Sequence, residues 1–576
     1  MSAQKLITDH LDLWTSAVTH KNGSGRNASG KNGKIELTGI KKLRELILEL
    51  AVRGKLVEQD PSEEPASVLL DRIAEEKTRL VKEGKIKKPK KLPEIATEDM
   101  PYAAPKNWKW VRFGNLFPSF QNGASSRGDN DGEQVAVIRL ADIDNLEISL
   151  ENTRLLPIDR KSIEKYSVTK NDILIIRVNG SQDLVGQLIP VRNNLNAIYC
   201  DHFIRVRIPE SLVATEYLCL LSASSIFRSR IKELFVSTAG QKTVNQKHVS
   251  SLPTPLPPLD EQHRIVEKVD ELMALCDRLE QQIGDQWEAH QILVDTLLDA
   301  LARSTDAAEL AENWARVAEH FDTLFTSEAS IDKLKQTILQ LAVMGRLVEQ
   351  DPNDEPVSVL LERIAEEKAR LLNEGKIKKS KPLPEIEKNQ KAFFLPKTWR
   401  WIRFGTITFN RDSERIPLSV DDRSRRQGGY DYYGASGVID KIDEYLFDKP
   451  LLLIGEDGAN LINRSTPIAF IARGKYWVNN HAHVIDGISE DFLKYLCLYI
   501  NAISLEPYVT GTAQPKMNQA KMNSIVVGLP PKQEQQRITE KFEELTALCD
   551  QLKARLGEAG ETRAQLAKTV VEQAVS

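Results

Sequence analysis

The sequence predicts a mixed α+β protein in which two α/β blocks are separated by long coiled-coil helices, the whole related by an internal pseudo-twofold repeat. Three observations predict it. The stretch "LPPLDEQHRIVEKVDELMALCDRLE" from Leu256 returns as "LPPKQEQQRITEKFEELTALCDQLK" from Leu529, with sixteen of twenty-five positions identical at an offset of 273. The stretch "KLRELILELAVRGKLVEQDPSEEPASVLLDRIAEEKTRLVKEGKIKK" from Lys42 recurs from Lys333 at an offset of 291, which still holds at "PKNWKWVRFG" (Pro105) and "PKTWRWIRFG" (Pro396). Between these landmarks lie two stretches of unlike, β-rich sequence, the second 18 residues shorter, as the difference of the two offsets requires. Such self-similarity at a fixed spacing means one unit written twice.

A chain of 576 residues exceeds what one core can organise, so several domains are expected. It is 41% apolar and 28% charged, with no apolar run long enough to span a bilayer. The start "MSAQKLITDHLDLW" has no apolar h-region, which points to a cytoplasmic protein. Cys200, Cys219, Cys276, Cys497 and Cys549 are scattered without a CxxC pair and are read as buried free thiols. The net charge of −4 conceals a pattern: residues 101–255 hold 19 Lys+Arg against 15 Asp+Glu, residues 392–529 hold 16 against 15, and the remainder holds 43 against 52. Two slightly basic blocks sit in an acidic frame.

Taken in order, residues 1–95 form an N-terminal arm and conserved helical region carrying a glycine-rich insertion at 21–36. "HLDLWTS" at His10 resembles "HFDTLFTS" at His320, after which the first copy needs about 20 more residues to reach the shared helix, so the Gly/Ser/Asn/Lys tract is an inserted flexible loop. In the shared helix Leu69, Ile73, Lys77 and Leu80 mark one face, as do Leu360, Ile364, Lys368 and Leu371. Residues 100–255 are the first block, in which "VAVIRL", "DILIIRV" and "HFIRVRI" alternate with turn clusters. Residues 256–304 are a conserved helix whose apolar seam runs through Ile265, Val269, Leu272, Cys276, Leu279 and Ile283. The spacing slips at Trp287, one stutter, and resumes through His290, Val294, Leu297 and Leu301. A seam this narrow needs a partner: the other repeated helices, or separate bundles. Residues 305–391 are a linker and the second helical region, 392–529 the second block, and 530–576 the second conserved helix with Ile538, Phe542, Leu545, Cys549, Leu552 and Leu556.

Catalytic signatures fail. "GRNASGKN" from Gly25 ends in Asn where a phosphate loop needs Ser or Thr, and no strand precedes it. The Pro-Pro pairs precede Leu259 and Lys532, where they head helices. "AEEK" at Ala74 and Ala365 reads as solvated helix charge. His481 and His483 share a strand face but lack a third ligand for a metal. No catalytic residue and no metal site are expected.

Two like frames carrying two unlike blocks suggest a device that reads two different things, and duplex DNA is the obvious text. Lys87 and Lys88, with Lys85, Lys90 and Lys91, and Lys378 and Lys379, with Lys376 and Lys381, sit where each helical segment enters its block; they meet phosphates or are solvated helix ends. Polar side chains suited to base edges gather in turns, Arg177, Asn179 and Gln182 in one block and Arg415, Arg423, Arg425, Arg426 and Gln427 in the other. The blocks end alike, "STAGQKTVNQ" against "TGTAQPKMNQ", with Gln241 and Asn245 in register with Gln514 and Asn518 and with Lys242 and Lys516 beside them; the Asn is a backbone or phosphate contact or a helix cap.

The "LPPLDEQHRIVEKVDEL" and "LPPKQEQQRITEKFEEL" segments, "GKLVEQDP" and "GRLVEQDP", and the Gln…Asn loop before each Pro-Pro resemble the specificity subunit of type I restriction-modification enzymes over nearly the whole chain. The arm is similar to the type IB subgroup. The resemblance implies that the blocks are target recognition domains, each reading half of a split DNA site, and that the repeated helices form antiparallel coiled coils. It implies two modification subunits, carrying S-adenosylmethionine and methylating adenine N6, and restriction subunits using ATP and Mg for translocation and cleavage. This chain itself would bind no cofactor, with Ile265, Val269, Leu272, Ile538, Phe542 and Leu545 as subunit contacts. The rivals are a coiled-coil protein-interaction scaffold that never touches DNA, and a nucleotide hydrolase using Gly25–Asn32.

Overall fold

The structure, a computed structural model, describes all residues except 1–2, 22–33, 126–131, 239, 379–381, 512–513 and 576. The phosphate-loop-like tract, Lys379 and Lys381 lie outside the described residues. The chain divides into two compact units, one of residues 1–22, 34–285 and 560–576, the other principally of residues 286–559. Among the described residues no helix is long and apolar enough to cross a membrane.

The first unit opens with short helices Ala3–Thr8 and Leu11–Ser16 and a hairpin of Thr19–Lys21 with Lys34–Glu36, which brackets the inserted tract. Helices Thr38–Val52 and Ala66–Lys82 follow, and a lysine-rich segment leads into the block. The strand Lys109–Arg112, from the "WKWVR" landmark, pairs antiparallel with Pro253–Leu256, which immediately precedes Pro-Pro. Entry and exit of the block are thus clamped together. The block contains a four-stranded antiparallel sheet in the order Leu188–Pro190, Asp172–Ile176, Phe203–Arg207, Phe120–Asn122. A three-stranded sheet, Ala197–Tyr199, Glu133–Ile138, Leu155–Ile158, includes one parallel pairing.

The second unit repeats this plan. Helices Glu328–Val343 and Val357–Asn373 lead to the strand Arg400–Arg403, which pairs with Val526–Leu529. A sheet ordered Phe409–Asn410, Ala482–Asp486, Leu451–Gly455, Ala469–Ala472 matches the first block's four-stranded sheet strand for strand. In the other sheet Gln427–Gly434 runs parallel to Lys475–Val478, as Glu133–Ile138 does to Ala197–Tyr199. The blocks are unlike in sequence and alike in topology.

The repeated motif residues explain the clamp. Trp108 donates its indole N–H to Glu261 at 2.9 Å, and Gln59 donates to the same carboxylate. Trp399, Glu534 and Gln350 repeat the arrangement. Gln262 donates to the carbonyl of Pro257 at 3.0 Å, as Gln535 does to Pro530 at 2.9 Å. The carbonyls of Pro258 and Pro531 accept the backbone N–H of these glutamines, and the buried Gln side chains satisfy the carbonyls one residue earlier. Both residues of "EQ" in "LPPxxEQ" are therefore structural.

The seam lysines also gain a reason. Lys77 Nζ donates to the carbonyls of Gly114 and Asn115, and Lys368 Nζ to those of Gly405, Thr406 and Thr408, capping the short helix that starts each block. Arg112 and Arg403 do likewise for the lysine-rich segments, donating to the carbonyls of Pro93 and Glu94 and of Pro384 and Glu385.

The conserved helices run over Leu259–Arg303 and Lys532–Val575. The first passes from one unit to the other after Asp285, two residues past Ile283, where the seam slips. The second passes after Ala559, at nearly the equivalent position of the repeat. Each C-terminal end is met by the same basic position, Lys55 Nζ on Ala574 O and Arg346 Nη1 on Ala302 O. In the second unit the seam is closed by the chain itself: Phe542, Leu545, Cys549, Leu552 and Leu556 pack with Val294 and Leu298 and with Ile331, Leu334 and Ile338 of helix Glu328–Val343. In the first unit Arg44 reaches from helix Thr38–Val52 to Asp277 and Glu280.

That closure corrects one expectation. Ile265, Val269, Leu272 and Ile538 are fully buried in this chain, and Phe542 and Leu545 are half-buried against its own helices. Ile265, Val269, Leu272 and Ile538, sealed in a core, have no surface left for a second subunit, whereas Phe542 and Leu545 keep part of theirs exposed. Residues 305–391 hold helices Ala307–Glu319, Phe321–Leu324, Glu328–Val343 and Val357–Asn373.

Candidate nucleic-acid interface

In each block three segments converge on one junction, through equivalent backbone bonds. In the first, Arg177 follows strand Asp172–Ile176; its N–H donates to His202 O at 2.7 Å and its carbonyl accepts from Val244 N at 3.0 Å. In the second, Glu456 N donates to His481 O at 2.9 Å, and Glu456 O accepts from Met517 N at 2.8 Å. Val178–Asn179 pairs with Gln241–Thr243 as Asp457 bridges Lys516. Arg177 thus occupies the place of Glu456, His202 that of His481, and the two Gln…Asn loops coincide.

The first junction is basic. Arg177 and Asn179 are half-buried, while Gln182, Gln241 and Asn245 are exposed. Arg177 Nη1 donates to Asp201 O, and Asn179 Oδ1 accepts from Ser181 N at 2.8 Å, fixing an Asx turn. Arg228 anchors the far side of that loop through the carbonyls of Gln182 and Val185. Lys242 reaches Ser237 Oγ. Asn245 Oδ1 accepts from His248 N at 2.9 Å, and Asn518 Oδ1 from Lys521 N at 3.0 Å, so each caps the short helix behind it. Of the two roles open for this Asn, the cap is the one visible.

The second junction carries a charge cluster around one buried histidine. Arg415 donates to Glu456 at 2.9 Å and lies 3.5 Å from Asp412; Lys516 lies 3.3 Å from Glu456. His483 is buried, with Nδ1 2.7 Å from Asp412 and Nε2 2.8 Å from the Met517 carbonyl. Burial by itself lowers its pKa, but the hydrogen bond and charge of Asp412 and the Met517 carbonyl outweigh this and hold it above the usual histidine value. Both ring nitrogens are used, which removes the metal pair considered for His481 and His483. Arg423 pairs with Asp440 and lies over Tyr432; Arg426 pairs with Asp443 and Glu444 and lies over Trp477. The guanidinium of Arg415 is therefore held within the block, while those of Arg423 and Arg426 are half-buried in ion pairs nearer its surface. Arg425, Gln514, Lys516 and Asn518 are exposed, as are Lys87, Lys88 and Lys378.

Sequence reasoning missed His202. Its equivalence with His481 is hidden because "YCDHFIRV" and "VNNHAHVI" share only the histidine at the turn. A strand–His–strand alignment of the blocks could have found it.

A family model described as "Type I restriction modification DNA specificity domain" matches residues 105–289 and 408–559, each span covering much of one block and running into a conserved helix. The chain is 38% identical over 611 residues to the type I restriction enzyme EcoEI specificity subunit of Escherichia coli, across 100% of both chains. It is 38% identical over 612 residues to the EcoAI specificity subunit of the same species, again across 100% of both. The crystal structure of the HsdS subunit from Thermoanaerobacter tengcongensis is 16% identical, covers 82% of this chain and 98% of its own, and superposes with a TM-score of 0.43.

Proposed function

The chain belongs to the specificity subunits of type I restriction-modification enzymes, and we propose that in this role it reads a split, asymmetric DNA site, one half per block. The observation that carries the proposal is the doubled junction: one backbone arrangement presents different side chains in the two blocks, Arg177 against Glu456 and Val178 against Asp457. A reader of two unlike half-sites needs constant scaffolding under variable chemistry. The recognition domains span about residues 100–255 and 392–529. The exposed lysines at the entry of each block supply sequence-independent attraction to phosphates.

By the same proposal the chain is non-catalytic and acts in the cytoplasm. Two modification subunits bring S-adenosylmethionine and the adenine-N6 transfer, and restriction subunits bring ATP, Mg and cleavage. Since Ile265, Val269, Leu272 and Ile538 are spent on the fold, partner subunits dock on the outer faces of the helices. The type IB assignment belongs to this reading and rests on the style of the conserved arm.

The test is to sequence the DNA of a host expressing the chain with its modification partner, by a method that detects N6-methyladenine, beside a strain in which residues 392–529 are exchanged. A split motif in which only one half changes is the expected result. If no motif depends on the chain, the coiled-coil protein scaffold becomes the better account.

A further inference from the structure

His202 and His481 sit on the same turn of the two blocks, but their Nδ1 atoms face opposite partners. His481 Nδ1 lies 2.8 Å from Asp457 Oδ2. A carboxylate can only accept, so Nδ1 carries the proton and Nε2 of the neutral ring is a bare acceptor. His202 Nδ1 lies 3.5 Å from Cys200 Sγ. The Cys200 thiol is buried, which pushes its pKa up to about 11 and keeps it protonated at neutral pH. A thiol sulfur is a poor acceptor and imidazole nitrogen a good one, so the S–H points at Nδ1 and the proton of the ring resides on Nε2. Among the described residues neither Nε2 has a hydrogen-bond partner within the chain. His481 is exposed and His202 half-buried.

We propose that His202 and His481 are specificity-determining residues that read their half-sites with opposite hydrogen-bond polarity, His202 donating from Nε2 and His481 accepting at Nε2, with Cys200 and Asp457 as the positioning residues that set the two tautomers. In the major groove an acceptor selects the amino groups of adenine or cytosine, and a donor selects guanine N7 or O6 or thymine O4. At the position facing this turn, the half-site of the second block therefore carries A or C, and that of the first G or T. The inference rests on the DNA-recognition reading above and adds which atoms differ.

The tautomers are measured on the full chain labelled with 15N-histidine at pH 8, where the rings are neutral. The nine histidines are assigned with the help of H202Q and H481Q. Protonated Nε2 at His202 and protonated Nδ1 at His481 are expected; the same tautomer at both positions overturns the proposal. The second arm uses methylome sequencing of the assembled enzyme. Asp457→Ala removes the acceptor that holds the ring proton on Nδ1, so one base of the second half-site should relax from A or C while the first half stays. Cys200→Ala should relax one base of the first half-site only. If both variants methylate the unchanged motif, these histidines do not read bases. If the unsubstituted chain directs no motif at all, the recognition reading fails, and the NMR result stands apart from it.

Discussion

The indole N–H of Trp108 donates to the carboxylate of Glu261 at 2.9 Å, with both residues almost completely buried, and Trp399 and Glu534 repeat the contact at 2.9 Å in the second unit. The bond ties the strand that enters a block to the first turn of the helix that leaves it. Burial raises the pKa of Glu261, with the Trp108 and Gln59 hydrogen bonds opposing that rise. Trp108→Phe leaves the carboxylate short of a donor and is expected to cost the first unit about 1–3 kcal/mol, read by urea denaturation. Adding Glu261→Gln to that variant should recover part of the loss; a neutral Trp108→Phe would mean the bond contributes nothing.

Gly54 and Gly345 end the first repeated helix with φ of +67° and +71°. A Cβ there would lie 2.5 Å from Pro105 Cγ and 2.6 Å from Pro396 Cγ. The left-handed backbone and the clash act together, so Gly54→Ala and Gly345→Ala should each destabilise their own unit by about 1–3 kcal/mol. Thermal unfolding of the two single variants checks this.

His483 gives the second unit a pH dependence. Its ring faces an acceptor at each nitrogen, so only the imidazolium satisfies both Asp412 and the Met517 carbonyl. Its folded pKa lies above the unfolded value of about 6.5. The stabilisation is therefore complete below that value and is lost as pH rises through the folded one. The difference in unfolding midpoint between the natural chain and His483→Gln should shrink with rising pH across this window; a constant difference would show that the ring does not titrate there.

Lys87, Lys88 and Lys378 are exposed where each helical segment enters its block. If they meet phosphates, charge reversal at each weakens binding of the assembled enzyme to cognate and unrelated duplexes alike. The slope of log affinity against log salt should become shallower by about 0.9 for every phosphate that is no longer neutralised. Fluorescence anisotropy over a salt series measures it, and an unchanged slope would leave these lysines as solvated helix ends.

The frame was legible because repetition is a property of sequence. The offsets of 273 and 291 located both conserved helices, the entry landmarks and the Gln…Asn loops. The likeness of the two blocks was not legible. Strand pairing depends on the backbone, and many side-chain sets satisfy the same ladder, so Asp172–Ile176 and Leu451–Gly455 can hold equivalent places with little identity.

The candidate site was read in part. Turn composition located Arg177, Asn179 and the Gln…Asn loops at the junction, because polar residues in turns have a local cause. It could not tell a free guanidinium from a paired one. Arg415, Arg423 and Arg426 look alike in sequence, and their carboxylate partners lie far along the chain at Glu456, Asp440 and Asp443. The same distance hid His202 and the role of Lys77, whose acceptors at Gly114 and Asn115 lie beyond the lysine-rich segment.

By itself, then, the sequence determined a doubled frame with apolar seams, helix stops and turn chemistry, all set by neighbours a few residues apart. Only the tertiary structure decided that each seam is sealed by its own chain and that one junction is built twice. It also gave two equivalent histidines opposite partners at Nδ1, because hydrogen-bond polarity depends on which distant atom folding brings within about 3 Å.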